Sequence, residues 1–150
     1  MQHSMRLMVV SPVLYSCDDG IVLIAGGVGI TPMLSILRYY SETKKDQKIM
    51  LIWGLKKHTD MICEDDFISY QKVMPNFSFI PVLSSDPDFS GEKGHITPDL
   101  MQRKIDENGL AISKLHFFFC GPPLMWPGIS ESLTAMQIKQ CMIHRENFSL

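Results

Sequence analysis

The chain has 150 residues, room for one domain with its own core, and 45% of them are apolar against 20% charged. A formal net charge of −2 argues against a nucleic-acid partner, which would favour a basic face. No apolar run approaches the length needed to span a bilayer, so no membrane contact is expected. The four cysteines, Cys17, Cys63, Cys120 and Cys141, lie far apart, with neither a C-x-x-C pair nor zinc spacing. They read as reduced thiols of a cytoplasmic protein, and no metal site is expected.

Residues 1–19 read as a segment outside the main domain. Residues 1–10 are too short and polar for a signal peptide, and Pro12 keeps residues 6–13 from forming an interior strand. The next stretch, IVLIAGGVGITPMLSIL over residues 21–37, organises the rest. Its apolar run, residues 21–25, predicts a parallel strand buried on both faces. Gly26, Gly27 and Gly29 permit a sharp turn and close approach of another group. Pro32 suits the first turn of a helix over residues 31–40, with Met33, Leu34 and Leu37 on its apolar face. Strand, glycine turn and helix start together form an anion site, because free N–H groups and the positive helix end face outward. The spacing G-G-V-G-I-T-P departs from G-x-G-x-x-G, and no acidic residue ends the second strand at the expected distance.

Residues 41–47 read as a solvated loop and residues 49–53 as a second buried strand ending at Gly54. A helix capped by Thr59 or Asp60 is predicted to run to before Pro75. Its carboxylates Glu64, Asp65 and Asp66 suit the helix dipole and form a solvated face rather than a metal site. Residues 77–83 are the third strand, followed by Ser84, Ser85 and Asp86. Residues 91–95 are a turn-rich excursion. Pro98 opens a helix that runs to about Glu107 and closes at Asn108-Gly109. Residues 115–120 are the fourth strand, broken by Gly121, Pro122 and Pro123. A helix carrying Ile129, Leu133 and Met136 follows, then a fifth strand over residues 138–143 and a tail over residues 144–150. The alternation predicts an α/β fold: a doubly wound, five-stranded parallel sheet with helices on both faces. Four loops then meet at the C-terminal ends of the strands, and a nucleotide crevice is expected there.

Several motifs point to one family. GGVGITPM (residues 26–33) resembles the pyridine-nucleotide pyrophosphate loop of the ferredoxin–NADP reductase superfamily, which includes oxygenase reductase components, cytochrome b5 reductases and ferric reductases. FCGPPLM (residues 119–125) resembles that superfamily's CGPPxM signature. Trp53-Gly54 is similar to its aromatic-glycine step, and Glu146-x-Phe148 to its terminal E-x-F or E-x-Y. The resemblance covers residues 20–150, nearly the whole chain, and implies an NAD(P)-binding domain there. Residues 1–19 would then be a linker and remnant of a preceding flavin domain, or a cloning remnant.

The resemblance implies roles for particular residues. Gly26, Gly27, Val28, Gly29, Ile30, Thr31 and Pro32 would hold the pyrophosphate, with Gly54 adjoining the nucleotide. Ser84, Ser85 and Asp86 would contact the adenosine ribose. Cys120, Gly121, Pro122 and Met125 would border the nicotinamide, and Phe148 would cover the flavin ring. Thr31, Cys120 and Glu146 are the candidate catalytic residues, with Cys120 positioning and polarising rather than attacking.

Ser85 stands where NADPH-specific relatives keep an arginine, the natural bidentate partner of a phosphate. With Asp86 beside it, NADH is favoured; Lys93 or His95 would be the compensating cation if NADPH is used. The family's flavin motif is missing and there is no space for its barrel. FAD or FMN is therefore expected on another domain or subunit, with an iron–sulfur, haem or ferric centre as downstream acceptor. Two other readings stay open: the soluble tail of a membrane ferric reductase or NADPH oxidase-like protein, and a non-catalytic nucleotide-sensing module.

Overall fold

Apolar runs become the inner strands, because a strand covered by helices on both faces has no polar side to show. They are β1 (Gly20–Gly26), β2 (Ile49–Leu55), β3 (Phe77–Leu83) and β5 (Leu115–Gly121). A two-residue β4 (Glu92–Lys93) and a more polar β6 (Ile143–Asn147) form the edges. A computed structural model describes residues 20–147, with the backbone alone for 146 and 147. The expectations for residues 1–19, for Phe148 and for the Glu146 side chain lie outside the described residues.

All six strands run parallel in the order β4-β3-β2-β1-β5-β6. Every residue of the central β1 is buried. Its alternation splits the core in two. Ile21, Leu23 and Ala25 pack with α1 (Thr31–Thr43) and α2 (Glu64–Val73) on one face. Val22 and Ile24 pack with α3 (Pro98–Glu107) and α4 (Trp126–Ala135) on the other. From β1 the chain steps outward to β2, β3 and β4, then crosses back to β5. The switch point therefore lies between β1 and β5. Among the described residues, no helix is long and apolar enough to cross a membrane.

The sheet has six strands, not the expected five. Glu92 and Lys93, read as part of an excursion, pair with Val82 and Leu83; two residues are too few to show a period. The last strand is Ile143–Asn147, not residues 138–143. A 3-10 turn, Gln140–Met142, fills much of the expected place, after Gln137 leaves α4 at φ 62°. An edge strand covered by little needs no apolar run, so His144, Arg145 and Glu146 were misread as tail.

Helix ends also move. α1 runs on to Thr43, and the hydroxyls of Ser41 and Thr43 donate back to the Arg38 and Tyr39 carbonyls at 2.7 and 2.8 Å. Its buried residues are Met33, Ile36, Leu37 and Tyr40, with Leu34 half-buried. α2 starts at Glu64, because residues 58–60 form a separate 3-10 turn. α3 begins as expected: Thr97 Oγ1 accepts from the Leu100 N–H at 3.1 Å, and Pro98 sits in the first turn.

Both edges are clipped. On β6, Arg145 lies over the Trp126 ring at 4.9 Å, and His144 stacks on Phe118 with its Nε2 2.9 Å from His116 Nδ1. Burial, and then the neighbouring His116, hold His144 below the ordinary histidine range. On β4, Arg103 makes two bonds to Glu92, at 2.8 and 3.0 Å, and Lys104 sits 3.0 Å from it. Hydrogen bonding by Arg103 is the main cause that holds the Glu92 carboxyl down at about 2. A depressed carboxyl stabilises the fold above its unfolded pKa, and that stability is lost as pH falls through the folded one. E92Q should therefore cost about 1 kcal/mol at pH 7, after allowing for solvent screening. In urea titrations, its difference from wild type should narrow steadily from about pH 4.5 to pH 2, the ordinary and shifted values for this group. A difference independent of pH would contradict this role.

Candidate functional site

Gly26 ends β1, the 3-10 turn Gly27–Ile30 follows, and α1 begins with Pro32 in its first turn. Gly27 has φ +51°, a conformation that a glycine adopts without strain. The other glycines are needed for closeness. A side chain on Gly29 would strike the Cys120 carbonyl and come within 2.9 Å of Gly121 Cα. One on Gly26 would meet the Met125 sulfur and lie 3.1 Å from Pro122 Cδ. One on Gly121 would lie 3.1 Å from the Gly26 nitrogen. The loops after β1 and β5 thus rest backbone on backbone. From β2, the Trp53 indole N–H donates to the Gly27 carbonyl at 3.0 Å.

Beside this junction lies a cavity of about 800 Å³ along the C-terminal ends of β1, β2 and β3. Its volume is in the range of small-molecule and cofactor sites. It is lined by Gly26, Gly27 and Val28, and by residues 53–56 with Val82 and Ser84. Residues 94–98, Pro122, Met125 and the α4 residues Ile129 and Ser132 complete the lining. The walls are largely apolar, with polar groups at Lys56, Asp60, Ser84, His95 and Thr97. Five large apolar side chains are exposed among the described residues, and three of them line this cavity: Val28 at 60%, Ile62 at 52% and Leu124 at 95%.

Of the residues singled out from the sequence, Gly26, Gly27, Val28, Gly54, Ser84, Pro122 and Met125 line the cavity. Gly29 and Ile30 are buried beneath the loop, Thr31 is exposed at the start of α1 and Pro32 is half-buried. Ser85 is exposed and its N–H bonds the Lys56 carbonyl at 2.8 Å. Asp86 is outside the lining, and its carboxylate accepts from the His58 N–H at 3.0 Å. Cys120 is 1% exposed and packs in the same core as Ala25 and Ile30. Gly121 is buried against Gly26. The Glu146 backbone is in register with Cys120 across β5 and β6. Of the two candidate cations, His95 lines the cavity, whereas Lys93 Nζ donates to the Pro87 carbonyl at 2.7 Å. Sequence reasoning names His95 in the stretch 94–98 but misses Gly94, Ile96, Thr97 and Pro98 as lining, because they sit in a turn-rich excursion and a helix start. It also missed Ile62 and Leu124, which no periodicity marks.

Residues 23–131 match the family model described as the oxidoreductase NAD-binding domain. The chain belongs to this family. The family is part of the ferredoxin–NADP reductase superfamily. This NAD-binding domain is 34% identical to NADH-cytochrome b5 reductase 2 of Aspergillus niger, over 73% of the chain and 34% of that protein. It is 27% identical to the anthranilate 1,2-dioxygenase electron transfer component of Acinetobacter baylyi, over 90% of the chain and 38% of that protein. The crystal structure of the Amycolatopsis cytochrome P450 reductase GcoB superposes with a TM-score of 0.76 at 26% identity, covering 88% of this chain and 38% of that one. The chain thus spans a little over a third of the curated relatives it matches.

Gly27 and Gly29, both in the turn after β1, make different demands. G29A places a methyl group on the Cys120 carbonyl, which is backbone and cannot swing away, so it should cost about 3 kcal/mol in denaturant unfolding. G27A has open space around it and bears only the positive φ, a cost of about 1 kcal/mol. Equal losses would contradict the backbone contact.

Proposed function

We propose that this domain presents the nicotinamide of NADH to a flavin, FAD or FMN, held on another domain or subunit. Electrons then pass on to an iron–sulfur, haem or ferric centre. The observation that carries this reading is the cavity beside the junction of the two loops, lined by Gly26, Gly27 and Val28 from one and Pro122 and Met125 from the other. Its size and mixed lining fit a dinucleotide: apolar walls for the rings, and helix-start N–H groups for the pyrophosphate. A bound nicotinamide supplies a hydride to the flavin.

The chain's own residues do the holding. The N–H groups of Gly27 and Val28, the first donors of the turn, face the anion together with the positive end of α1. Ser84 and its neighbour Asp86 serve the adenosine ribose. Thr31 stands exposed at the helix start, where a hydroxyl can reach a ligand. Met125 and Ile96 form the apolar wall that excludes water. Cys120 acts by position: its carbonyl supports Gly29, and its register partner Glu146 is brought to the same sheet end. The exposed Val28 and Leu124 at the cavity suit a covering domain, which is the place for the flavin. Exposed thiols at Cys63 and Cys141 suit a reducing, cytoplasmic setting.

NADH is the preferred coenzyme in this reading. No arginine follows Ser84, and the carboxylate of Asp86 repels a 2′-phosphate while accepting from a ribose hydroxyl. In calorimetric titrations, NADH should bind about tenfold more tightly than NADPH, and D86N should narrow that gap. Tighter NADPH binding would move the coenzyme assignment to NADPH, with Lys56 and His95 as the basic side chains on the lining. No binding of either would overturn the functional reading.

A further inference from the structure

We infer that Trp53 is a positioning residue: its indole N–H holds the Gly27–Val28 peptide in the orientation that offers the Val28 N–H, rather than a carbonyl oxygen, to an anion. The inference rests on the nucleotide-binding reading above and deepens it. The donor is fixed by the core, not by the loop. Trp53 is fully buried on β2, with ring centroids 5.6 Å from Phe67 and 6.4 Å from Phe79, which themselves stack at 4.9 Å. A buried indole N–H needs an acceptor. The Gly27 carbonyl, 26 residues earlier in the chain, is that acceptor at 3.0 Å.

The loop's own hold on this orientation is one short 3-10 turn, Gly27–Ile30, with a glycine in its first place. A side chain added at Gly27 would meet nothing within 4 Å, and its φ is +51°. A glycine in open space turns its peptide over against little steric resistance. The peptide unit is planar and trans, so its carbonyl oxygen and the following N–H point to opposite edges. Tying the Gly27 oxygen to the indole therefore turns the Val28 N–H away from the core. Gly27 and Val28 both line the cavity. The Val28 N–H is also among the first donors of the 3-10 turn, which find no acceptor inside it. A flipped peptide would turn an oxygen outward and repel phosphate. The buried hydrogen bond thus reinforces the turn in fixing the sign of the partial charge that the loop shows.

The test removes the donor and keeps the shape. In the full chain, Trp53 is replaced by benzothienylalanine, in which sulfur stands for the indole N–H. Affinity is then measured for NADH and for adenosine, which has no phosphate. Losing a hydrogen bond of ordinary net strength should weaken NADH about fivefold to tenfold. Adenosine affinity should stay the same, and the Val28 amide resonance should move in the ligand-free protein. W53F should show the same split between the two ligands, and serves where the isosteric variant does not fold. If both affinities fall together, Trp53 is only structural and the inference is overturned. Unchanged NADH affinity with wild-type binding intact overturns the inference alone. A wild-type chain without NADH affinity overturns the nucleotide reading, and the inference with it.

Discussion

The architecture depends on the loop after β1 lying directly on the backbone at the end of β5. Gly29 rests on the Cys120 carbonyl, and Gly26 is pressed between Gly121, Pro122 and Met125. At Gly29 the obstacle is backbone, and no side chain fits there. The two glycine-bearing signatures, about ninety residues apart, are therefore one object. Their glycines serve the packing of one loop on the other. Because both loops leave the sheet at the switch point, locking them together fixes the shape of the crevice.

The rest of the fold holds that junction steady. β1 is buried throughout and divides the core into two faces. Aromatic packing of Phe67 and Phe79 fixes Trp53, and Trp53 reaches through to the loop. At the edges, where a short or polar strand has little apolar area to bury, polar contacts take over. Glu92 joins β4 to α3, and Arg145 and His144 hold β6 against Trp126 and β5. The second clip brings the Glu146 backbone level with Cys120, at the end of the sheet where the cavity lies.

What was legible in the sequence was whatever repeats locally. Continuous apolar runs gave β1, β2, β3 and β5, and glycine and proline gave the turns and helix starts. Edge strands carry no such run, so β4 was passed over and β6 was placed too early. The site was legible as motifs but not as surfaces. Cys120 stood out as a signature residue, yet its thiol belongs to the core, and its carbonyl is what meets the loop. Lys93 looked available until the Pro87 carbonyl was seen to hold it. The Trp53–Gly27 bond joins residues on different elements, and no local pattern announces it.

NADH is proposed to lie in the cavity beside the junction of these two loops. The most direct measurement is an NMR titration of the isotope-labelled chain with NADH, following backbone amides. The largest shifts should fall on residues 27–31, Gly54, Ser84 and Met125, with the N-terminal ends of the strands silent. Shifts centred elsewhere, or none at saturating NADH, would contradict it.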